Sequence, residues 1–192
     1  MRVRDEQKHK RICEAAARLF AQKRFHEVRL EDIAAEAGVG KGTLYLYCQS
    51  KQDLFVSLLD EAFAGLVERL QSEVPREASG RDKLRLIVRS LVDYAFENPH
   101  LFELMRTVGV PAGGRPVWER KRQELAQLIQ ETITQGAREG VMQDDCPALT
   151  ATYLMGMVRS MMLYGPRTQS REQVARHMMR FVEAGLSPRS QA

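Results

Sequence analysis

Residues 34–54 read AAEAGVGKGTLYLYCQSKQDL. Two short helices with a glycine turn between them account for this stretch. Ala34 is small enough to let one helix cross another closely. Gly38, four residues on, supplies a turn that tolerates positive φ, and Leu44 plugs the second helix into a core. The Ala34, Gly38, Leu44 spacing is that of a helix-turn-helix. It predicts a second helix over Leu30–Ala37, a third over Lys41–Cys48, and Ser50 as the N-cap of a long fourth helix.

With Leu44 pointing inward, a wheel of 3.6 residues per turn puts Cys48 on the same side and turns Gly42 and Leu46 outward. Thr43 and Tyr45 fall on the flanks. Lys41 starts the helix near the inward side, and its long stem still reaches solvent. This is the profile of a helix that enters a DNA major groove. Gly42 removes bulk where backbone approaches the duplex. Lys41 and Thr43 reach phosphates or base edges, and Leu46 meets thymine methyl groups. The hydroxyls of Tyr45 and Tyr47 suit phosphate oxygens. Lys51 adds a charge to the N-terminus of the fourth helix, an anion-binding position. Each residue also has a plainer reading: core packing for the tyrosines, solvated charge for the lysines.

Charge supports the polyanion reading. The 192-residue chain carries a net +4, and residues 1–51, with 11 basic and 7 acidic side chains, hold all of it. The remaining residues balance at 18 of each sign. A locally basic module on a neutral body points to nucleic acid.

Outward from this module the chain reads as all-α, about nine helices in total. Ile12, Ala16, Leu19 and Phe20 mark one face of a first helix. Leu54, Leu58, Phe63, Leu66 and Leu70 mark the fourth. Further helices are expected over 82–97, 99–108, 117–139, 148–164 and 171–184, with Gly140 closing one and Pro147 opening another. The expected division is a three-helix DNA-binding domain over 1–50 and a helical ligand-binding and dimerisation domain over 51–192.

The segment LEDIAAEAGVGKGTLYLYCQSKQDLF, residues 30–55, resembles the DNA-binding signature of the TetR family of bacterial transcriptional regulators. The detailed likeness runs from Ile12 to Phe55. It implies a homodimer that binds double-stranded DNA at a palindromic operator, with Lys41, Thr43, Tyr45, Tyr47 and Lys51 on the DNA. It also implies a small-molecule effector held by the body. Three residues depart from the family pattern. Arg29 stands where Thr or Ser usually caps the second helix, a loss of about 1 kcal/mol unless compensated, and it is available to a phosphate. Gly40 replaces a frequent Ser, and Cys48 a frequent Phe.

The likeness places a pocket among the middle helices. Candidate lining residues are Phe63, Phe102, Met105, Trp118 and Met155. Arg106 and Arg159 lie on mostly apolar helices and are candidates to meet an acidic group; plain core and surface roles are the alternatives. A largely apolar effector is expected, with the dimer formed through the last two helices, whose TATYLMGMVRSMM segment is rich in small residues and methionine.

The remaining classes find little support. His9, His26, His100 and His177 are scattered, without HExxH or GxSxG, and GVGKGT lacks P-loop spacing. Three distant cysteines form no CxxC or Cys/His cluster, so neither metal nor cofactor is expected, and a reducing cytoplasm fits best. No membrane segment is read. The expectation is a ligand-responsive, sequence-specific transcriptional regulator, a repressor released by its effector and not an enzyme. The alternative is a helical protein-interaction module with a vestigial DNA-binding head.

Overall fold

The computed structural model describes residues 5–75, 78–108, 116–166 and 168–187; the side chains of residues 100, 104, 107–108 and 116–118 fall outside the description. The described residues form nine α-helices and no strand. They are α1 (Glu6–Gln22), α2 (Leu30–Glu36), α3 (Lys41–Tyr45), α4 (Lys51–Glu73), α5 (Gly80–Glu97), α6 (Pro99–Val108), α7 (Pro116–Arg138), α8 (Pro147–Tyr164) and α9 (Arg171–Leu186).

Helices α1 to α3 form a small head. Asp5 caps α1 by accepting from the backbone of Gln7 and Lys8 at 3.1 and 3.3 Å. Ile12, Ala16, Ile33 and Leu44 are fully buried together, and an aliphatic side chain so buried contributes about 1.5–3 kcal/mol. Helix α2 ends in a Schellman turn. Gly38 has φ 65°, its N–H bonds Ala35 O at 3.1 Å, and Val39 N–H bonds Ala34 O at 2.9 Å. That turn aims α3 across α2.

Helix α3 is shorter than the periodicity predicts. It ends at Tyr45, because Leu46 N–H and Tyr47 N–H bond Thr43 O and Leu44 O three residues back, tightening the last turn. Cys48 is buried below it and its Sγ donates to Leu44 O at 3.8 Å.

Helix α4 belongs to both halves of the molecule. Ser50 caps it, accepting from Asp53 N–H at 3.0 Å. Its first half packs on α1; it also packs on α5 and α7 of the body. In the body, α5 and α7 meet at two glycines. A Cβ on Gly80 would stand 2.4 Å from the backbone N of Gly136. Gly80 N–H donates to Glu139 Oε2 at 2.8 Å, and Arg81 donates to Val141 O at 2.8 Å. Helix α7 ends as α2 does, with Gly140 at φ 71° and Val141 N–H bonded to Gly136 O at 3.0 Å. Helix α9 opens with a capping box between Ser170 and Gln173 and lies against α5. Among the described residues no helix is long and apolar enough to cross a membrane.

Candidate nucleic-acid interface and ligand cavity

Six large hydrophobic side chains are exposed among the described residues, and they occupy two places. Tyr45 (46%) and Leu46 (58%) stand at the end of α3. Leu149, Tyr153 and Tyr164 line one stripe of α8, and Phe181 (68%) projects from α9. Exposed apolar groups gathered in this way mark contact surfaces.

On the head, Lys41, Gly42, Tyr45 and Leu46 share the solvent face, with Thr43 half-buried beside them. Nothing lies within 4 Å of a Cβ built on Gly42, so no neighbour within the chain requires glycine there. The Lys41 ammonium is 2.6 Å from Glu31 Oε1 on α2. That hydrogen bond raises the Lys41 pKa and holds the Glu31 carboxyl below its usual range. A phosphate must displace Glu31 to take Lys41. Glu31→Gln is therefore expected to strengthen DNA binding about two- to fivefold, the worth of an exposed ion pair, as read by fluorescence anisotropy of a labelled operator.

Arg29 is exposed and caps α2 without a side-chain bond of its own. Its N–H is instead taken by Asp32 Oδ2 at 3.1 Å. The cap lost with Thr or Ser is thus half restored from the other end, and the guanidinium remains at the surface. Gly40 likewise caps α3 with no side-chain bond.

Two sequence candidates are turned inward. Lys51 donates to the Phe25 carbonyl at 2.6 Å and sits 4.8 Å above the Phe25 ring. It ties the α1–α2 turn to the start of α4. Tyr47 is half-buried; its hydroxyl meets the backbone of Asp5, accepting from N–H at 3.2 Å, and its ring stacks on His9 at 5.9 Å. Both side chains brace the head from beneath α3.

In the body, a cavity of about 280 Å³ opens between α4, α5, α6, α7 and α8. Phe63, Phe102, Met105, Met155 and Arg159 all line it. Trp118 lies on α7, but its side chain is outside the described residues. Arg106 does not reach the cavity; it is exposed and bonded to Glu103. Arg122 on α7 takes that place, hydrogen-bonded to Glu119 at 2.9 Å. Arg159 has no ion-pair partner among the described residues. Tyr94 also lines the wall, and burial pushes its phenol well above the usual range, so it stays a neutral donor. The wall is otherwise almost wholly apolar. Arg122 escaped sequence reading because it sits in the charged run ERKRQE, where one of the two arginines turns toward the cavity only through α7's pitch. Gly156, also on the wall, carried no signal beyond small size.

Residues 12–58 match the family described as bacterial regulatory proteins, tetR family. Residues 77–186 match the tetracyclin repressor-like C-terminal domain. The chain is similar to a fatty acid metabolism regulator protein of Bacillus subtilis, 33% identical over 81 residues, which is 42% of either chain. It is 31% identical to an HTH-type transcriptional repressor of Streptomyces coelicolor over 157 residues, covering 81% of this chain and 78% of the other. Among solved structures, the fold is similar to that of the transcriptional regulator FadR from Bacillus subtilis in complex with stearoyl-CoA. The TM-score is 0.75 at 18% identity, over 92% of this chain and 98% of that one.

Proposed function

The chain belongs to the tetR family of bacterial regulatory proteins, and from that premise we propose that it is a homodimeric repressor released from a palindromic operator by an amphipathic anion. The observation that carries the DNA half is the exposed Lys41–Gly42–Tyr45–Leu46 face on the one basic region of the chain. Thr43 flanks that face and Arg29 joins it from α2. The DNA-binding domain spans 1–50 and the effector and dimer domain 51–192. The protein works in the cytoplasm and catalyses no reaction.

The effector half rests on the cavity. An acyl chain matches its aliphatic and aromatic wall. Arg122 and Arg159, with the neutral phenol of Tyr94, suit an anionic head such as a carboxylate or an acyl thioester of a phosphate-bearing carrier. The similar Bacillus subtilis regulator solved with stearoyl-CoA supports this class. Helix α4 lines the cavity with Leu59, Phe63 and Leu66 and packs on α1 along its first half, as far as Glu61. Filling the cavity shifts α4, and with it the spacing of two reading heads that must meet grooves about 34 Å apart.

The dimer seam is the apolar stripe of α8 and α9. Phe181→Asp is expected to yield a monomer in sedimentation velocity and to weaken operator binding by about tenfold or more, since one head then binds without its partner.

The experiment that tests the whole reading selects genomic fragments on the purified chain at fixed salt, with and without stearoyl-CoA or free stearate. One near-palindrome is expected, and its recovery is expected to fall when the acyl anion is present. Absence of any motif would favour the interaction-module reading. A motif indifferent to both compounds would reject the acyl anion and keep the DNA assignment.

A further inference from the structure

His9 and Cys13 sit one turn apart on α1, and Glu61 faces them from α4. The His9 Nδ1 lies 3.3 Å from Glu61 Oε1. Cys13 Sγ lies 3.8 Å from His9 Nε2 and 3.5 Å from Glu61 Oε1. One donor atom from each residue falls within 4.8 Å of the other two. Cys13 is buried at 3% exposure, while the His9 and Glu61 side chains are 34% and 49% exposed. The thiol therefore forms the floor of a shallow cup whose mouth opens to water.

We propose that His9, Cys13 and Glu61 bind a divalent transition metal of the zinc class, clamping α1 to α4. Tetrahedral zinc with sulfur, nitrogen and oxygen ligands holds those atoms roughly 3.4–3.6 Å apart, close to the separations already present. The imidazole now offers a different nitrogen to each neighbour, so coordination takes one of them and turns the ring slightly. A thiolate, an imidazole and a carboxylate form a set that zinc accepts and magnesium or calcium does not. On binding, the Cys13 thiol gives its proton to solvent and its sulfur bonds the ion, while water leaves the metal. Three protein ligands leave the fourth position to water, as the open mouth requires. The placement gives the ion a lever. His9 stacks on Tyr47 at the end of the recognition segment, and Glu61 lies within the turns of α4 that reach the cavity. The three ligands thus touch the reading head and the helix that moves it.

The test is a Co²⁺ titration of the untagged, chelator-stripped, reduced full-length chain. The expected result is one ion per chain with a thiolate-to-cobalt charge-transfer absorption, displaced by Zn²⁺. Cys13→Ala is expected to lose that absorption. His9→Gln and Glu61→Gln, both partly exposed, are expected to keep the fold by circular dichroism and weaken binding by about tenfold or more. The proposal is overturned if the wild-type chain shows no such absorption. It is also overturned if the absorption survives Cys13→Ala, which would assign the ion to Cys48 or Cys146, or if both glutamine variants bind as tightly as wild type. Should Cys13→Ala fail to fold, the two glutamine variants decide.

Discussion

Gly42→Glu is expected to lower operator affinity by about a hundredfold, near 2.7 kcal/mol, with the fold intact. The fold has no objection to the change. A Cβ on Gly42 meets nothing within 4 Å, and glutamate is a far better helix former than glycine. Its charge also sits well near the N-terminus of α3. The duplex objects on two counts: side-chain bulk where backbone approaches, and a negative charge facing phosphates. Gly42→Ala separates the two. It adds only a methyl group, and it is expected to raise stability by about 0.5–1 kcal/mol while still weakening DNA binding. Anisotropy titrations beside thermal melts check both. Unchanged affinity in Gly42→Ala would move the closest approach of the duplex away from this residue.

Gly80→Ala is expected to destabilise the body by about 1–3 kcal/mol, the cost of overpacking, and to lower the melting midpoint by about 3–10 °C. Its methyl group would stand 2.4, 2.6 and 2.8 Å from the N and Cα of Gly136 and from Thr132 O. All three are backbone atoms, so α5 and α7 must part, and Gly80 N–H leaves Glu139. Gly136→Ala is the control. The three atoms nearest its methyl group, at 2.7, 2.9 and 3.1 Å, all belong to the Met142 side chain, which can swing aside, so a smaller loss is expected. The same seam carries a pH dependence. The hydrogen bond from Gly80 N–H holds the Glu139 carboxyl below its ordinary value. Its contribution is therefore complete above the ordinary carboxylate range and is lost as pH falls through the lowered value. The wild-type melting midpoint should lose this increment on acidification, and Glu139→Gln should not.

The helices were largely legible because each carries its own local instructions. Ser50 and Pro147 start helices where a capping hydroxyl or a proline at the first turn predicts, and Gly38 and Gly140 stop them at positive φ. The end of α3 was misread, since Leu46 and Tyr47 continue an acceptable helical pattern and only tertiary packing tightens the turn there. The cavity was half legible. Phe63, Phe102, Met105 and Met155 are ordinary apolar positions on facing helices, whereas the exchange of Arg106 for Arg122 depends on helix rotation that no local rule sets. Long-range partnerships were the least visible. Gly80 reads as part of a loop, and its reason for being glycine is 56 residues away at Gly136. The His9, Cys13 and Glu61 cluster was not read from the sequence, because Glu61 joins the other two only once α1 lies on α4.

Lys51 carries a consequence for ionic atmosphere. DNA releases condensed counterions in proportion to the phosphates a protein neutralises, and the logarithm of affinity falls by about 0.9 per phosphate for each unit of log salt. An ammonium 2.6 Å from the Phe25 carbonyl releases none. Across two subunits the salt slope should be shallower by about 1.8 than the head's basic residues would suggest. Lys51→Gln should leave that slope unchanged and cost the head about 1–2 kcal/mol. A parallel drop in slope would mean that Lys51 swings outward when the duplex arrives.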